Sequence, residues 1–415
     1  TKHAPKQEVP ATLNLSLQEA QDYAVAQNRS LKNADLAVQK AYATRWQTIA
    51  SMLPSVDMSW AYQSMMGYKM NFGGMPIEMP DNGTLGITAS VGINGQAIVG
   101  ALLNNTAIEM QKLNLEISED NLRANVKSSY ASVLVLEDVV KLLDNSLKNI
   151  EHLAAMTQRS VEVGAAEQTT ADQILVRVNT LKNNINANKR STQLAINALK
   201  VLLNVPAETE LTLTTQLSDM LSAEAIVTLL GKDFVLENNL SYQTLAKNVE
   251  LAKKNVHMAG WAYGPTIGVG YQYSEKDYFG KKEGFNMTPP NALSVQVSMP
   301  LWSSGKRAAG VVVMKIVLEE AGNTFEETAD NLGIQNEQLR YNLQNAYETY
   351  TNEQENMGVT QRVFDNTSLK FQQGVASNLD LVNASNDLIT AQSTYVQAVL
   401  TLVNAEVELE KFLNR

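Results

Sequence analysis

Three histidines, His3, His152 and His257, are the side chains best suited to ligate a metal or relay a proton, yet long intervals separate them. No two share the spacing of a helical or loop metal site, and His152 reads as a helix-surface residue. The absence of cysteine excludes disulfides, thiolate metal sites, a cysteine nucleophile and a lipidated cysteine within this chain. Gly264-Pro265-Thr266-Ile267-Gly268-Val269-Gly270 is glycine-rich, but it lacks the strand, turn and helix order of a phosphate loop, and its alternation is that of a strand. The expectation is a protein that is not an enzyme, with no catalytic residue, no cofactor and no metal. What remains chemically pointed is a set of carboxylates, Asp172, Asp380 and Asp387, close behind two lone glycines, Gly164 and Gly374.

Those glycines belong to a duplication. Gly374 lies 210 residues after Gly164 (374 less 164), and the same step carries Leu202-Leu203-Asn204 onto Phe412-Leu413-Asn414. Asn28 and Pro54 recur as Asn239 and Pro265 at a step of 211, and Tyr62 lands on Tyr273. The chain is one unit written twice. With 33 basic and 43 acidic residues and no Lys/Arg cluster, it offers no stripe for nucleic acid. No run of about 18 apolar residues exists, which excludes a transmembrane helix but not a β-barrel. The first residues, TKHAPKQEVP, lack the layout of a signal peptide, so either none exists or the chain is a processed one.

All ten prolines lie outside 81–205 and 301–415. Proline costs about 3 kcal/mol inside a helix, so these windows are where long helices are permitted. Leu122, Val126, Ser129, Val133, Leu136, Val140, Leu143, Leu147, Ile150, Ala154, Thr157 and Val161 alternate steps of four and three, as do Leu381, Ala384, Leu388, Ala391, Tyr395, Ala398, Leu402, Ala405, Leu409 and Phe412. Such a repeat, averaging about 3.5 residues, predicts helices packed side by side as coiled coil. A second stripe, Val382, Ile389, Val396 and Val403, gives the last arm neighbours on two sides. A helix from about 303 to 373 would be roughly 100 Å long, which predicts a rod or tube. Each lone glycine ends one helix in the left-handed conformation. The stretches Thr169-Thr170-Ala171-Asp172 and Ser377-Asn378-Leu379-Asp380 then predict capping-box starts of the next helix.

Near the prolines the period changes to two. Val56, Met58, Trp60 and Tyr62 alternate with small or polar residues, and the repeat sends them to Ile267, Val269, Tyr271 and Tyr273. A second pair of alternating runs is Leu85, Ile87, Ala89, Val91, Ile93 and Leu293, Val295, Val297, Met299, Leu301. Four strands of about nine or ten residues with one apolar face fit membrane-spanning strands, read as two hairpins with long turn-rich loops at 68–83 and 275–291. Trp60, Tyr62, Tyr68, Tyr278, Phe279 and Trp302 gather near strand ends, as an interfacial girdle requires. Four strands cannot close a barrel, so the barrel must be shared between chains.

These residues resemble the TolC-like outer-membrane efflux family from about Leu17 to Phe412. The motifs that carry the resemblance are LSLQEAQDYAVAQNRSLKNADLAVQKAYATRWQTIASMLPSVDMSW at 15–60, LSVQVSMPLWSSGKR at 293–307, and FQQGVASNLDLVNASNDLITAQSTYVQAVLTLVNAEVELEKFLN at 371–414. The resemblance implies a mainly α fold with a small β part: a long coiled-coil α-helical barrel in the periplasm and four strands per chain in a trimeric transmembrane β-barrel. Residues 1–14 would be an N-terminal extension, 15–203 and 231–415 the two repeats, and 204–230 an equatorial linker outside the tube. The implied function is a passive exit duct of a tripartite efflux pump or type I secretion system. Its implied partners are two further copies, outer-membrane lipid, a periplasmic adaptor and, through it, an inner-membrane pump.

In this family the hairpin tips meet the adaptor, and the matching positions are Val163, Gly164, Ala165 and Ala166 with Gly374, Val375, Ala376 and Ser377. The resemblance places a periplasmic gate just beyond the second tip, at Phe371, Asp380 and Asn383, with Asp172 and Asp387 as further contributors. Well-known members carry a tyrosine at Phe371, an arginine at Ala376 and a second acid at Asn383, so this chain lacks part of that closing set. The lipid-facing set is Val56, Met58, Trp60, Tyr62, Ile267, Val269, Tyr271 and Tyr273. A soluble extracytoplasmic coiled-coil scaffold or adaptor is the other class the helices allow, but adaptors add lipoyl-like and β-barrel segments that do not appear here.

Overall fold

The computed structural model describes residues 11–279 and 289–413. The tip of the second long loop (280–288), residues 1–10 of the N-terminal extension and Asn414 of the closing motif lie outside the described residues. The elements run β1 (Thr12–Leu15), α1 (Leu17–Gln27), α2 (Arg29–Ala50), β2 (Ser55–Gln63), β3 (Lys69–Phe72), β4 (Met75–Glu78), β5 (Asn82–Asn94), α3 (Gly95–Glu162) and α4 (Gln168–Leu203). They continue as β6 (Glu210–Leu213), α5 (Leu217–Met220), α6 (Ala223–Gly231), α7 (Leu240–Gly260), β7 (Thr266–Tyr278), β8 (Asn291–Ser298), α8 (Lys306–Gln372) and α9 (Asn378–Phe412). The duplication is visible in the lengths: α3 and α8 have 68 and 67 residues, and α4 and α9 have 36 and 35.

The chain forms two compact units. One comprises residues 1–34, 114–242 and 328–415, and the other 35–113 and 243–327. In the first, the heptad stripes are the interior: Leu122, Val126, Val133, Leu143, Ile150 and Thr157 of α3, and Leu381, Ala384, Leu388, Ala398, Leu402, Leu409 and Phe412 of α9, are all buried. A 3.5-residue repeat keeps one stripe facing a neighbouring helix, and residues beside it, among them Tyr130, Leu134, Val135, Leu153, Val399 and Val403, are buried as well. The same hydrogen bonds recur in both repeats. Asn28 donates Nδ2 to the Leu202 carbonyl at 2.9 Å while its Oδ1 accepts from the amides of Ser30 and Leu31. Asn239 donates to the Phe412 carbonyl at 3.1 Å and accepts from Ser241 and Tyr242. A short amide ends one helix, starts the next and ties both to the closing arm of its repeat.

The segments around 12–15 and 210–213, read from sequence as extension and linker, pair as a parallel two-stranded sheet, Thr12 against Glu210 through Leu15 against Leu213. The fully buried Tyr130 pins that sheet to α3, donating its hydroxyl to the Leu15 carbonyl at 2.9 Å and accepting from the Thr215 amide at 3.0 Å. Arg340 donates to the carbonyls of Leu230 and Lys232, placing a cation at the C-terminal end of α6 where the helix dipole favours it. Lys127 lies between Glu406 and Glu410, 2.8 Å from each. Burial works against the Lys127 ammonium, but the two carboxylates outweigh it and its pKa is raised; for Glu406 burial outweighs the lysine, so that carboxyl is also pushed up.

The second unit is built on a four-stranded antiparallel sheet, ordered β2, β5, β7, β8. The alternation predicts a last strand reaching Leu301, but pairing stops at Thr266 against Ser298. The next partner would be Pro265, which has no N–H to give, and Pro300 follows on the other strand, so Met299 and Leu301 lie beyond the ladder. The first long loop is not irregular: β3 and β4 pair antiparallel, Lys69 against Glu78 through Phe72 against Met75. Gly73 and Gly74 close that hairpin with φ of 56° and 89°, the positive values a two-residue loop needs.

Candidate functional site

Cross-strand partners share a face, so the register shows what each side of the sheet presents. One face carries the rows Val56, Ala89, Tyr271, Leu293; Met58, Ile87, Tyr273; Val91, Val269, Val295; and Ile93, Ile267, Val297. The other carries Ser55, Ser90, Gly270, Ser294; Asp57, Thr88, Gln272, Ala292; and Gly92, Gly268, Gln296. A one-residue slip would exchange the two faces, so both hairpins and the β5–β7 join are in the register that keeps the Val, Ile, Leu and Met side chains of the sheet together. That face is uncovered: Val56, Met58, Trp60, Tyr62, Ile267, Val269 and Tyr271 are exposed and Tyr273 is half-buried. The outward edges of β2 and β8 pair with nothing among the described residues. In water such a sheet is an aggregation site, while in hydrocarbon its unpaired edges would each cost several kcal/mol per group.

Where β5 turns into α3, the ring of Trp261 fills the space a side chain at Gly95 would need: a Cβ there would lie 2.1 Å from Trp261 Cε3 and 2.2 Å from Cδ2. The same edge of the ring lies against Gly264, where a Cβ would fall 2.8 Å from Cε3. At the matching corner of the second repeat, Arg307 donates Nη1 to the Pro300 carbonyl at 2.5 Å and Nε to Ser303 Oγ at 2.9 Å, with its guanidinium 4.8 Å from the Tyr263 ring centre. Gly305, with φ of 80°, makes the turn.

Both hairpin tips are built alike. Gly164 and Gly374 each have φ of 74°, and nothing lies within 4 Å of where a Cβ would be. The Gly164 amide donates to the Val161 carbonyl at 2.9 Å and the Ala165 amide to Ser160 at 2.7 Å; Gly374 donates to Phe371 at 3.0 Å and Val375 to Lys370 at 2.8 Å. This is the Schellman arrangement, in which a left-handed residue lets the last carbonyls of a helix find donors. Val163 and Val375 stand exposed at these tips; Ala165 and Ser377 are also exposed, and Ala166 and Ala376 are half-buried.

The helices that leave the tips differ. At the second tip Ser377 Oγ accepts from the Asp380 amide, and the Asp380 carboxylate takes the Ser377 amide at 2.9 Å and hydroxyl at 2.6 Å, a complete capping box. At the first tip the capping box expected at Thr169 and Asp172 does not form. α4 begins two residues earlier, with Glu167 at the cap making no side-chain bond to the helix amides and accepting instead from Thr169 Oγ1 at 3.2 Å, and Asp172 accepts from Gln168 one turn away at 2.8 Å. Of the carboxylates expected to close a passage, Asp380 is exposed but committed to its cap, while Asp172 and Asp387 are exposed, as is Asn383. Phe371 is half-buried against the cluster of Leu143, Ile150, Ile174, Phe364 and Leu388. A contact that sequence spacing gave no sign of joins the two hairpins: Asn378 Nδ2 donates to Gln173 Oε1, and Asn378 Oδ1 is buried with no partner among the described residues.

The hydroxyl of Ser377, then its amide, hold the Asp380 carboxyl below its ordinary 3.8. A carboxylate with a lowered folded pKa contributes above the unfolded value and loses that contribution as pH falls through the folded one. The first turn of α9 is therefore expected to fray below about pH 4, seen as faster hydrogen exchange of the Asp380 and Leu381 amides. Protection unchanged down to about pH 2 would remove the capping role.

Among the described residues no helix is long and apolar enough to cross a membrane, and no group of three His, Cys, Asp or Glu side chains could hold a metal ion. The sequence model for outer membrane efflux proteins matches residues 21–205 and 233–415, one stretch in each repeat. The chain belongs to that family. It is an outer-membrane efflux channel, placed in the outer membrane, and its family is one of channels and not of enzymes. It is 22% identical to a probable efflux pump outer membrane protein, TtgC, of Pseudomonas putida over 96% of this chain and 82% of that one. In fold it is similar to CusC, with a TM-score of 0.77 at 16% identity covering 100% of this chain and 98% of that one. It is also similar to a membrane protein from Pseudomonas aeruginosa, with a TM-score of 0.79 at 15% identity and coverage of 100% and 99%. The channel fold accounts for the uncovered strands that a soluble scaffold or adaptor leaves without a reason.

Proposed function

We propose that this efflux channel works as one third of a passive duct. Three copies join the outward edge of β8 in one to that of β2 in the next, closing a barrel whose Val56, Met58, Trp60, Tyr62, Ile267, Val269, Tyr271 and Tyr273 meet lipid. The observation that carries this reading is the four-stranded sheet with one uncovered apolar face and two unpaired edges, since backbone groups in hydrocarbon must all be paired. Residues 1–14 are an extension, 15–203 and 231–415 the duplicated arms, and 204–230 the linker between them. The duct has no catalytic site and no cofactor of its own. It is reached from the cell interior through an inner-membrane pump and a periplasmic adaptor, which meets the tips at Val163 to Ala166 and Gly374 to Ser377.

The gate is the ring of second-hairpin starts. Asp380, Asn383 and Asp387 with Phe371, and Asp172 from the first hairpin, narrow it, and the Gln173–Asn378 bond holds the two hairpins of one chain together. Threefold symmetry turns any inward carboxylate into three like charges, which favours bound cations. In planar bilayers the purified channel conducts ions with no nucleotide present, and Asn378→Ala raises its conductance several-fold by freeing one hairpin from the other. A bilayer that stays silent with both proteins overturns the duct, and equal conductance of the two removes Asn378 from the gate.

A further inference from the structure

Five of the fifteen methionines fall in the fifteen residues from Met65 to Met79. Methionine is ordinarily core filler, because its flexible thioether suits irregular gaps. Here there is no core to fill: Met66 is 94% exposed, Met75 72% and Met70 39%. The β3–β4 register puts Met70 opposite Ile77, and the ladder extends one step further through the Met79 amide, which donates to the Tyr68 carbonyl at 2.9 Å. Met70, Met75 and Met79 therefore share one face, with Tyr68 and Ile77, while Lys69, Asn71, Pro76 and Glu78 take the other. Met70 is the diagonal neighbour of both Met75 and Met79, a separation long side chains span. Met75 and Met79 are four residues apart on one strand, too far to share an ion, so Met70 is the common ligand.

The base of the hairpin is fixed. Asp81 accepts from Tyr62 Oη at 2.9 Å, Ser64 Oγ at 2.9 Å and the Met65 amide at 2.8 Å, and the Tyr68 amide donates to the Met65 carbonyl at 2.9 Å. That holds Met65 and Met66 in the turn beside the Tyr68–Met79 step.

We propose that this hairpin binds a soft monovalent cation, Cu(I) or Ag(I), with Met70 and Met79 as the first ligand pair and the Met65–Met66 turn as the further thioether donors. Neutral thioethers select d10 monovalent ions and are poor ligands for magnesium or calcium, which take oxygen. The site stands whatever the duct carries, because nothing in it involves the barrel interior or the tips.

Ag(I) is the probe, being inert to air oxidation. In equilibrium dialysis of the whole detergent-solubilised protein, saturable silver uptake is expected, lost when Met70→Leu and Met79→Leu are combined. Leucine keeps the apolar area and nearly the volume, so an apolar contact surface would survive the change and a thioether site would not. Met299→Leu, an exposed methionine elsewhere, should leave uptake unchanged. The same titration followed by methionine methyl resonances should move those of the hairpin. Uptake that persists in the double variant, that is lost equally in Met299→Leu, or that never saturates overturns the assignment.

Discussion

Gly95→Ala is expected to abolish the assembled channel. An alanine Cβ would fall 2.1 to 2.7 Å from three atoms of the Trp261 ring, inside any contact real side chains make. The ring lies in a slot between two glycines, since a Cβ at Gly264 would fall 2.8 Å from the same ring carbon. Overpacking a fixed site costs about 1–3 kcal/mol and sometimes more. This site sets the angle at which β5 hands over to α3, so the strain falls on an inner strand, the one that joins the two hairpins of the sheet. Outer-membrane yield and the thermal transition of purified protein measure the effect. Trp261→Ala in the same chain should recover most of the loss, because it removes the other half of the clash. An additive double variant, no better than its worse parent, would show that the glycine matters for another reason.

The second large effect is on function alone. Gly164→Leu combined with Gly374→Leu should leave folding and assembly almost intact while export fails. Each leucine takes a left-handed backbone at about 1–2 kcal/mol, but it enters open space, so no packing is lost elsewhere. In the proposed duct the added side chains stand where an adaptor would dock, between Val163 and Ala165 and beside Val375. Docking about tenfold weaker, or about 1.4 kcal/mol, is the expected consequence. Drug tolerance of an efflux-deficient host carrying the variant and its pump reads it out. Normal tolerance at normal channel abundance would remove the tips from docking.

Much of this architecture was legible because its signals are local or repeated. Gly164 and Gly374 announced two left-handed helix ends, Pro54 and Pro265 marked where helix gives way to strand, and the heptad stripes named part of the buried face of α3 and α9, though not Tyr130, Val135, Leu153 or Val399 beside them. The β3–β4 hairpin has a local signal too, Gly73-Gly74 between two four-residue runs, but the prolines and asparagines around it obscure that signal. The start of α4 went wrong for a physical reason, since Thr169 is a competent cap only if the helix waits for it, and Gln168 was already free to begin. Other features have no local signal at all. The parallel pairing of β1 with β6 joins residues about two hundred positions apart, and so does the bond from Gln173 to Asn378. Trp261 against Gly95 is the same kind of fact, written in the sequence only as a glycine at a corner.

The number of chains in the purified particle decides the matter most directly. Native mass spectrometry of protein released from detergent is predicted to give three chains per particle, with lipid or detergent retained on the face of Val56, Met58 and Trp60. A particle of one chain, stable in that detergent with the edges of β2 and β8 still unpaired, would contradict the shared barrel and the duct built from it.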